Sequence, residues 1–124
     1  LGLVLAVSTL GNPAAHAGPP PYRVTIHASA TTVQAGQLIT FTGKVRPETR
    51  AARKQSVKLQ VTYPNGVSET ASLDRPNRQC RYAFSESFGP PGDYRVRVRI
   101  AAGKGHAEGI SDELKITVVP LSVP

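Results

Sequence analysis

Apolar and polar side chains alternate at every second position in several short stretches of the chain. The apolar members of the clearest stretch are Tyr94, Val96, Val98 and Ile100, and an arginine separates each from the next. Alternation with a period of two is typical of a β-strand that buries one face. The pattern therefore predicts a strand whose arginines point to solvent.

The same alternation predicts about seven short strands in all. They cover residues 22–28, 39–45, 57–63, 67–73, 81–85, 94–100 and 114–118. Turn residues separate them, as at Pro64-Asn65-Gly66, and this arrangement without a helical period is typical of a β-sandwich. The predicted core between the two sheets comprises Tyr22, Ile39, Phe41, Val57, Leu59, Val61, Tyr82, Phe84, Tyr94, Val96, Val98, Leu114, Ile116 and Val118.

One stretch breaks the alternation. Residues 46–55 are polar and cationic, open with Pro47 and show no apolar period, which indicates an exposed loop; a helix is the alternative. No internal repeat interrupts the chain, and 124 residues suit one hydrophobic core. We therefore predict a single all-β domain.

The first residues differ from the rest. Leu1–Leu10 is an uncharged apolar run, too short to span a bilayer, and Ala15-His16-Ala17 offers the small residues that precede a signal-peptidase site. The alternative is a buried strand. We expect a signal peptide over 1–17 that is incomplete at its N-terminus, a Pro-rich segment over 18–21, the domain over 22–119 and a tail over 120–124. The product would be secreted, extracellular or at the cell surface, without a transmembrane segment.

Several segments together resemble the bacterial immunoglobulin-like domains of secreted and surface proteins, particularly those of actinobacteria. The likeness lies in Thr31–Gly43, with its turn glycine and terminal T-G, in Arg81-Tyr82-Ala83-Phe84 and in Pro91–Val98. It implies an immunoglobulin-like antiparallel β-sandwich that serves in binding, in adhesion or as a structural or accessory module. Cys80 stands where the family commonly has a turn glycine.

Cys80 is the sole cysteine, so an intramolecular disulfide is excluded. It is either a small residue at the start of a strand or a thiol that reacts or bridges to another chain. Nothing carries a catalytic signature, and neither His27 nor His106 has a partner at metal-ligand spacing. We therefore predict a non-enzymatic protein without a cofactor or metal.

Charge is the distinctive property of the chain. Lys and Arg number 15 against 8 Asp and Glu, a formal charge of +7, and the sequence pI is ≈ 10.1. In an immunoglobulin-like sandwich three strands of one sheet should present a basic face made by Lys58, Arg95, Arg97, Arg99 and Lys115. The other sheet, with Thr25, Thr40, Thr42 and Ser85, should be nearly neutral.

Two functions remain open on this basis. The first is a secreted, monomeric, non-enzymatic immunoglobulin-like module for binding, adhesion or structural support, whose arginines merely keep its surface soluble. The alternative is a protein that binds an extracellular polyanion through the basic face, where the ligand is a cell-wall polymer, an acidic glycan or a nucleic acid. The sequence does not name the partner.

Overall fold

The computed structural model describes residues 18–122, so the expected signal peptide lies outside the described residues. The described chain forms ten strands and one short helix, α1 (Arg50–Arg53), between the fourth and fifth strands. The strands are β1 (Arg23–Val24), β2 (His27–Ala28), β3 (Thr32–Gln34), β4 (Leu38–Arg46), β5 (Val57–Thr62), β6 (Ser68–Asp74), β7 (Arg81–Ser87), β8 (Gly92–Ile100), β9 (Gly109–Ile110) and β10 (Leu114–Val119).

These strands form two sheets. In the smaller sheet β4 is central, with β1 and β2 along one side and β7 along the other. The larger sheet has the order β3-β10-β8-β5-β6, and β9 pairs with the end of β8. Neighbours are antiparallel except β3 and β10, which are parallel. The predicted β-sandwich is confirmed.

The first predicted strand is interrupted and then changes sheets. Between β1 and β2 the backbone N–H of Thr25 donates to the Lys44 carbonyl at 3.0 Å, and the Thr25 hydroxyl accepts from the Lys44 N–H at 3.0 Å. The chain then crosses to the larger sheet as β3, which has only three residues. The sequence did not predict β3 because Val33 is its only buried residue, and a single position cannot show a periodicity.

The predicted core is confirmed with one adjustment. Thirteen of its fourteen residues are buried, and Leu114 is partly buried against them. Fully burying a Val, Leu or Ile side chain contributes about 1.5 to 3 kcal/mol relative to exposure, so this set dominates the stability. The core also includes Val24, Ala28, Val33, Val45, Ala52, Cys80, Phe88 and Ile100.

The predicted turn at Pro64-Asn65-Gly66 joins β5 to β6. The N–H of Tyr63 donates to the Val67 carbonyl at 2.8 Å, and Gly66 adopts a φ of +89°. That left-handed conformation favours glycine because it has no Cβ. The turn therefore closes a hairpin, as expected from its sequence.

The expected exposed loop over residues 46–55 is in part wrong, because it contains α1. The Thr49 hydroxyl caps the helix by accepting the N–H of Ala52 at 3.1 Å, and Ala52 is fully buried. A Thr that immediately precedes the first helical residue is favourable at this capping position. The sequence pattern missed α1 because a single inward-facing alanine gives no periodicity.

Candidate functional site

The five residues of the predicted basic face lie together on the larger sheet. In the register of β5, β8 and β10, Lys58 is opposite Arg99, and Lys115 is opposite Arg95. Arg97 lies between the two arginines on the same strand. Alternate residues of β8 are buried, so these arginines project from the outer face, about 7 Å apart along the strand.

Acidic residues from neighbouring loops reduce the charge of this face. Arg99 donates from two nitrogens to Glu108, at 3.2 and 3.0 Å, and Arg95 lies 3.4 Å from Glu113. Exposed pairs of this kind add little stability, but they neutralise a large part of the local field. The sequence reading missed them because both glutamates lie outside the alternating strands.

The remaining cations of the face differ in their partners. The Nε of Arg97 donates to the side-chain oxygen of Gln60 at 2.8 Å, which fixes the guanidinium without neutralising it. Lys58 and Lys115 form no ion pair among the residues that the structure describes. The face therefore keeps a modest excess of positive charge.

The outer face of the smaller sheet is not nearly neutral, so that prediction was wrong. Arg23 is opposite Arg46, and Lys44 is opposite Arg81, each on the outward side of its strand. The expectation rested on threonines and serine at the middle of the strands. The cations lie where the strands end, next to the loops.

Those loops define a surface that we call the basic end, made of residues 20–23, 46–56, 74–81 and 101–109. It holds nine of the fifteen cations and three of the eight acids, a formal charge of +6. All other residues together carry six cations and five acids, a charge of +1. The nine cations are Arg23, Arg46, Arg50, Arg53, Lys54, Arg75, Arg78, Arg81 and Lys104.

Buried contacts hold the loops of the basic end against one another. The Cys80 carbonyl accepts the N–H of Val45 at 2.8 Å, and the Cys80 sulfur lies 3.8 Å from the Thr49 carbonyl oxygen. The rings of Tyr22 and His106 stack with centroids 4.8 Å apart. The surface therefore rests on packed side chains from all four segments.

Cys80 is a free, fully buried cysteine with a φ of +57°, a conformation that non-glycine residues seldom adopt. Glycine adopts this conformation readily, in agreement with the resemblance of this turn to one that commonly carries glycine. Burial separates its thiol from solvent, so nothing in the structure favours a reactive or bridging role.

Two shallow depressions lie beside these cations. One of about 420 Å³ is lined by Arg50, Lys54 and Lys104 without an acidic residue. The other, of about 740 Å³, is lined by cationic residues of β4, β7 and the β6–β7 loop together with Asp74. Both offer cationic walls that an anionic group can approach.

The opposite end of the sandwich, which we call the uncharged end, consists of residues 35–37, 63–67, 88–91 and 120–122. None of these residues is Lys, Arg, Asp or Glu. Here the Phe88 and Tyr94 rings stack at 4.5 Å, and Gly36 donates to the Phe88 carbonyl at 2.9 Å. The Tyr63 hydroxyl donates to Glu69 at 2.5 Å, which raises the pKa of Tyr63 to about 12. Tyr63 therefore stays neutral at physiological pH.

Tyrosine hydroxyls within the core stay protonated. Burial raises the pKa of Tyr82, whose hydroxyl donates to the Thr25 carbonyl at 2.5 Å, and burial also raises the pKa of Tyr22. In the described part of the chain, no three His, Cys, Asp or Glu side chains are grouped so that they could hold a metal ion. The arrangement offers charge and hydrogen-bond donors.

Known structures share this architecture. The CARDB domain of a Pyrococcus furiosus protein, solved in complex with di-metal ions, matches with a TM-score of 0.56 and 16% identity over 84% of this chain and 96% of that chain. The fold is immunoglobulin-like. The PKD domain of human KIAA0319 matches with a TM-score of 0.55 and 14% identity, over 96% of this chain and 97% of that chain. At such identities the likeness shows the fold alone.

A third similarity involves part of a larger protein. It is the alkylpurine DNA glycosylase AlkC of Pseudomonas fluorescens bound to DNA, with a TM-score of 0.52 and 10% identity over 80% of this chain and 30% of that chain. No protein-family model and no curated protein sequence matches the chain. Between residues 18 and 122 the immunoglobulin-like fold contains no helix long and apolar enough to cross a membrane.

Proposed function

We propose that this immunoglobulin-like domain is a secreted, non-enzymatic binding module whose ligand is an extracellular polyanion. One observation supports this function above all. Only three of the fifteen cationic side chains, Arg46, Arg95 and Arg99, form ion pairs within residues 18–122. The other twelve keep their full charge on a rigid scaffold, where they can attract and hold anionic groups.

Rigidity matters because binding loses less free energy when the binding groups are already ordered. The arginine row of β8 is anchored at Arg97 by Gln60 and at Arg99 by Glu108. The predicted binding residues Lys58, Arg95, Arg97, Arg99 and Lys115 remain one candidate docking surface. The structural-support role of the first hypothesis remains the outcome if no polyanion binds.

The test uses protein recovered from culture medium. Its mass should correspond to a chain that begins at Gly18, because cleavage is expected after Ala17. Titration with polyphosphate, heparin and single-stranded DNA should then give binding that weakens steeply as salt rises, since each neutralised anionic group releases counterions. A neutral dextran serves as the control. Absence of binding to all three polyanions at low salt would refute the proposed ligand class.

A further inference from the structure

The positive charge of the molecule is concentrated at the basic end, whose loops and adjoining strand ends hold +6 of the total +7. The predicted face of the larger sheet has five cations, and two of them are paired with glutamates. A polymer of negative charge is drawn to the region with the highest local potential. The charge distribution therefore directs a polyanion to the loops and away from the sheet face.

The three acids of the basic end already have partners. Glu48 lies 3.3 Å from Arg46, Glu108 binds Arg99, and a carboxylate oxygen of Asp74 accepts the N–H of Ala83 at 3.4 Å. Six cations of the loops form no ion pair in the described part of the chain. They are Arg50, Arg53, Lys54, Arg75, Arg78 and Lys104.

The loops that carry these cations pack against the interior of the domain through buried side chains. Ala52 of α1 is fully buried, and Cys80 of the β6–β7 loop packs against Thr49. Arg50 and Lys54 remain exposed at the two ends of α1, beside Lys104 of the β8–β9 loop. An anionic chain can therefore contact several loops at once without ordering the backbone.

Aromatic side chains decide between classes of ligand. The four Tyr and three Phe all lie within the described residues; six are buried and Tyr63 is partly buried at the uncharged end. Proteins that bind single-stranded nucleic acid stack the bases on exposed aromatic rings, and the basic end exposes no Tyr, Phe or Trp ring, while the ring of His106 is already stacked on Tyr22. Its donors recognise charge and little else, and guanidinium forks match the paired oxygens of phosphate.

We propose that the basic end is the docking surface for a linear phosphate polymer without bases, such as a polyol phosphodiester or polyphosphate. This inference rests on the proposed polyanion function and names its site and ligand class. Successive phosphates lie across the β4–β5, β6–β7 and β8–β9 loops, with Arg50, Lys54 and Lys104 as the central contacts.

The experiment compares two triple variants that remove equal charge. One carries Arg50→Gln, Lys54→Gln and Lys104→Gln; the other carries Arg95→Gln, Arg97→Gln and Arg99→Gln. Titration with medium-chain polyphosphate at several salt concentrations should show a loss of affinity of about tenfold or more for the loop variant and less than about threefold for the sheet variant. The salt dependence should also flatten more for the loop variant.

Each further outcome has a defined meaning. Equal losses, or a larger loss for the sheet variant, overturn the basic end as the site and leave the polyanion function standing. If the unmodified protein binds no polyanion, the proposed function itself fails. Tighter binding of heparin or single-stranded DNA than of polyphosphate at equal charge overturns the ligand class. If the loop variant unfolds, the double variant Arg75→Gln with Arg78→Gln replaces it, because it leaves α1 intact. This variant should weaken polyphosphate binding more than the control double variant Lys58→Gln with Lys115→Gln.

Discussion

The two ends of the sandwich are built in different ways. At the basic end, long connections and the adjoining strand ends carry nine cations, and Tyr22, Ala52 and Cys80 are buried beneath them. At the uncharged end, short turns join the strands, and no Lys, Arg, Asp or Glu occurs in them. Short turns mainly close the sandwich, whereas longer loops on a rigid scaffold are the usual place for binding residues. The contrast separates the part that stabilises the fold from the part available for a ligand.

Substitution of a glycine at each end should give the largest difference in stability between the two ends. A methyl group on Gly109, at the basic end, would collide with the backbone oxygen of Tyr22, whereas one on Gly66 would meet open space. Gly109→Ala should therefore reduce the free energy of unfolding by about 3 kcal/mol through overpacking. Gly66→Ala should reduce it by only about 1 kcal/mol, the cost of a left-handed alanine. Urea denaturation measures both, and equal losses would show that the two ends are packed alike.

The second prediction concerns Cys80. Cys80→Val should lower the free energy of unfolding by about 2 kcal/mol, because a β-branched side chain resists a positive φ. Cys80→Gly should stay within about 1 kcal/mol of the unmodified protein, since relief of the backbone offsets the lost packing. Thermal or urea unfolding of the two variants tests this. A glycine variant less stable than the valine variant would contradict the role assigned to backbone conformation.

The smallest expected effect lies at the uncharged end. Asn65→Lys adds a cation to an exposed turn far from the loops of the basic end. Affinity for polyphosphate should rise by less than about twofold, because charges separated by more than about 10 Å are largely screened at 0.1 M salt. Ala102→Lys, which adds the same charge at an exposed position of the basic end, should raise affinity more. Equal gains would mean that overall charge alone governs binding.

The sequence predicted the longer strands and the core because period-two alternation is a local signal, whereas the short strands β3 and β9 carry too few residues to show it. It also predicted that Lys58, Lys115 and the arginines of β8 share one face, since the immunoglobulin-like arrangement assigns their strands to one sheet. The register that sets Lys58 opposite Arg99 and Lys115 opposite Arg95 was not predicted. The sequence did not predict the ion pair with Glu108, whose loop position depends on tertiary structure.

The sequence also did not predict the basic end, because this surface depends on tertiary structure. Arg50, Arg75 and Lys104 are far apart along the chain and meet only because their loops join strands at the same end of the sandwich. Charge read along the sequence indicates total charge but not its distribution in space. The helix between β4 and β5 was not predicted either, because Ala52 is its only buried residue and gives no periodicity.

The distribution of charge gives the molecule an electric dipole that runs along the strands from the uncharged end to the basic end. Near an anionic layer, the electric field of the layer would turn the basic end toward it before contact. Association would then be faster, because fewer encounters would occur in the wrong orientation. Once bound, the domain would stand upright, because β8 spans nine residues, or about 30 Å, between the two ends. The chain that leaves β10 at the uncharged end would then be held at about that height above the layer.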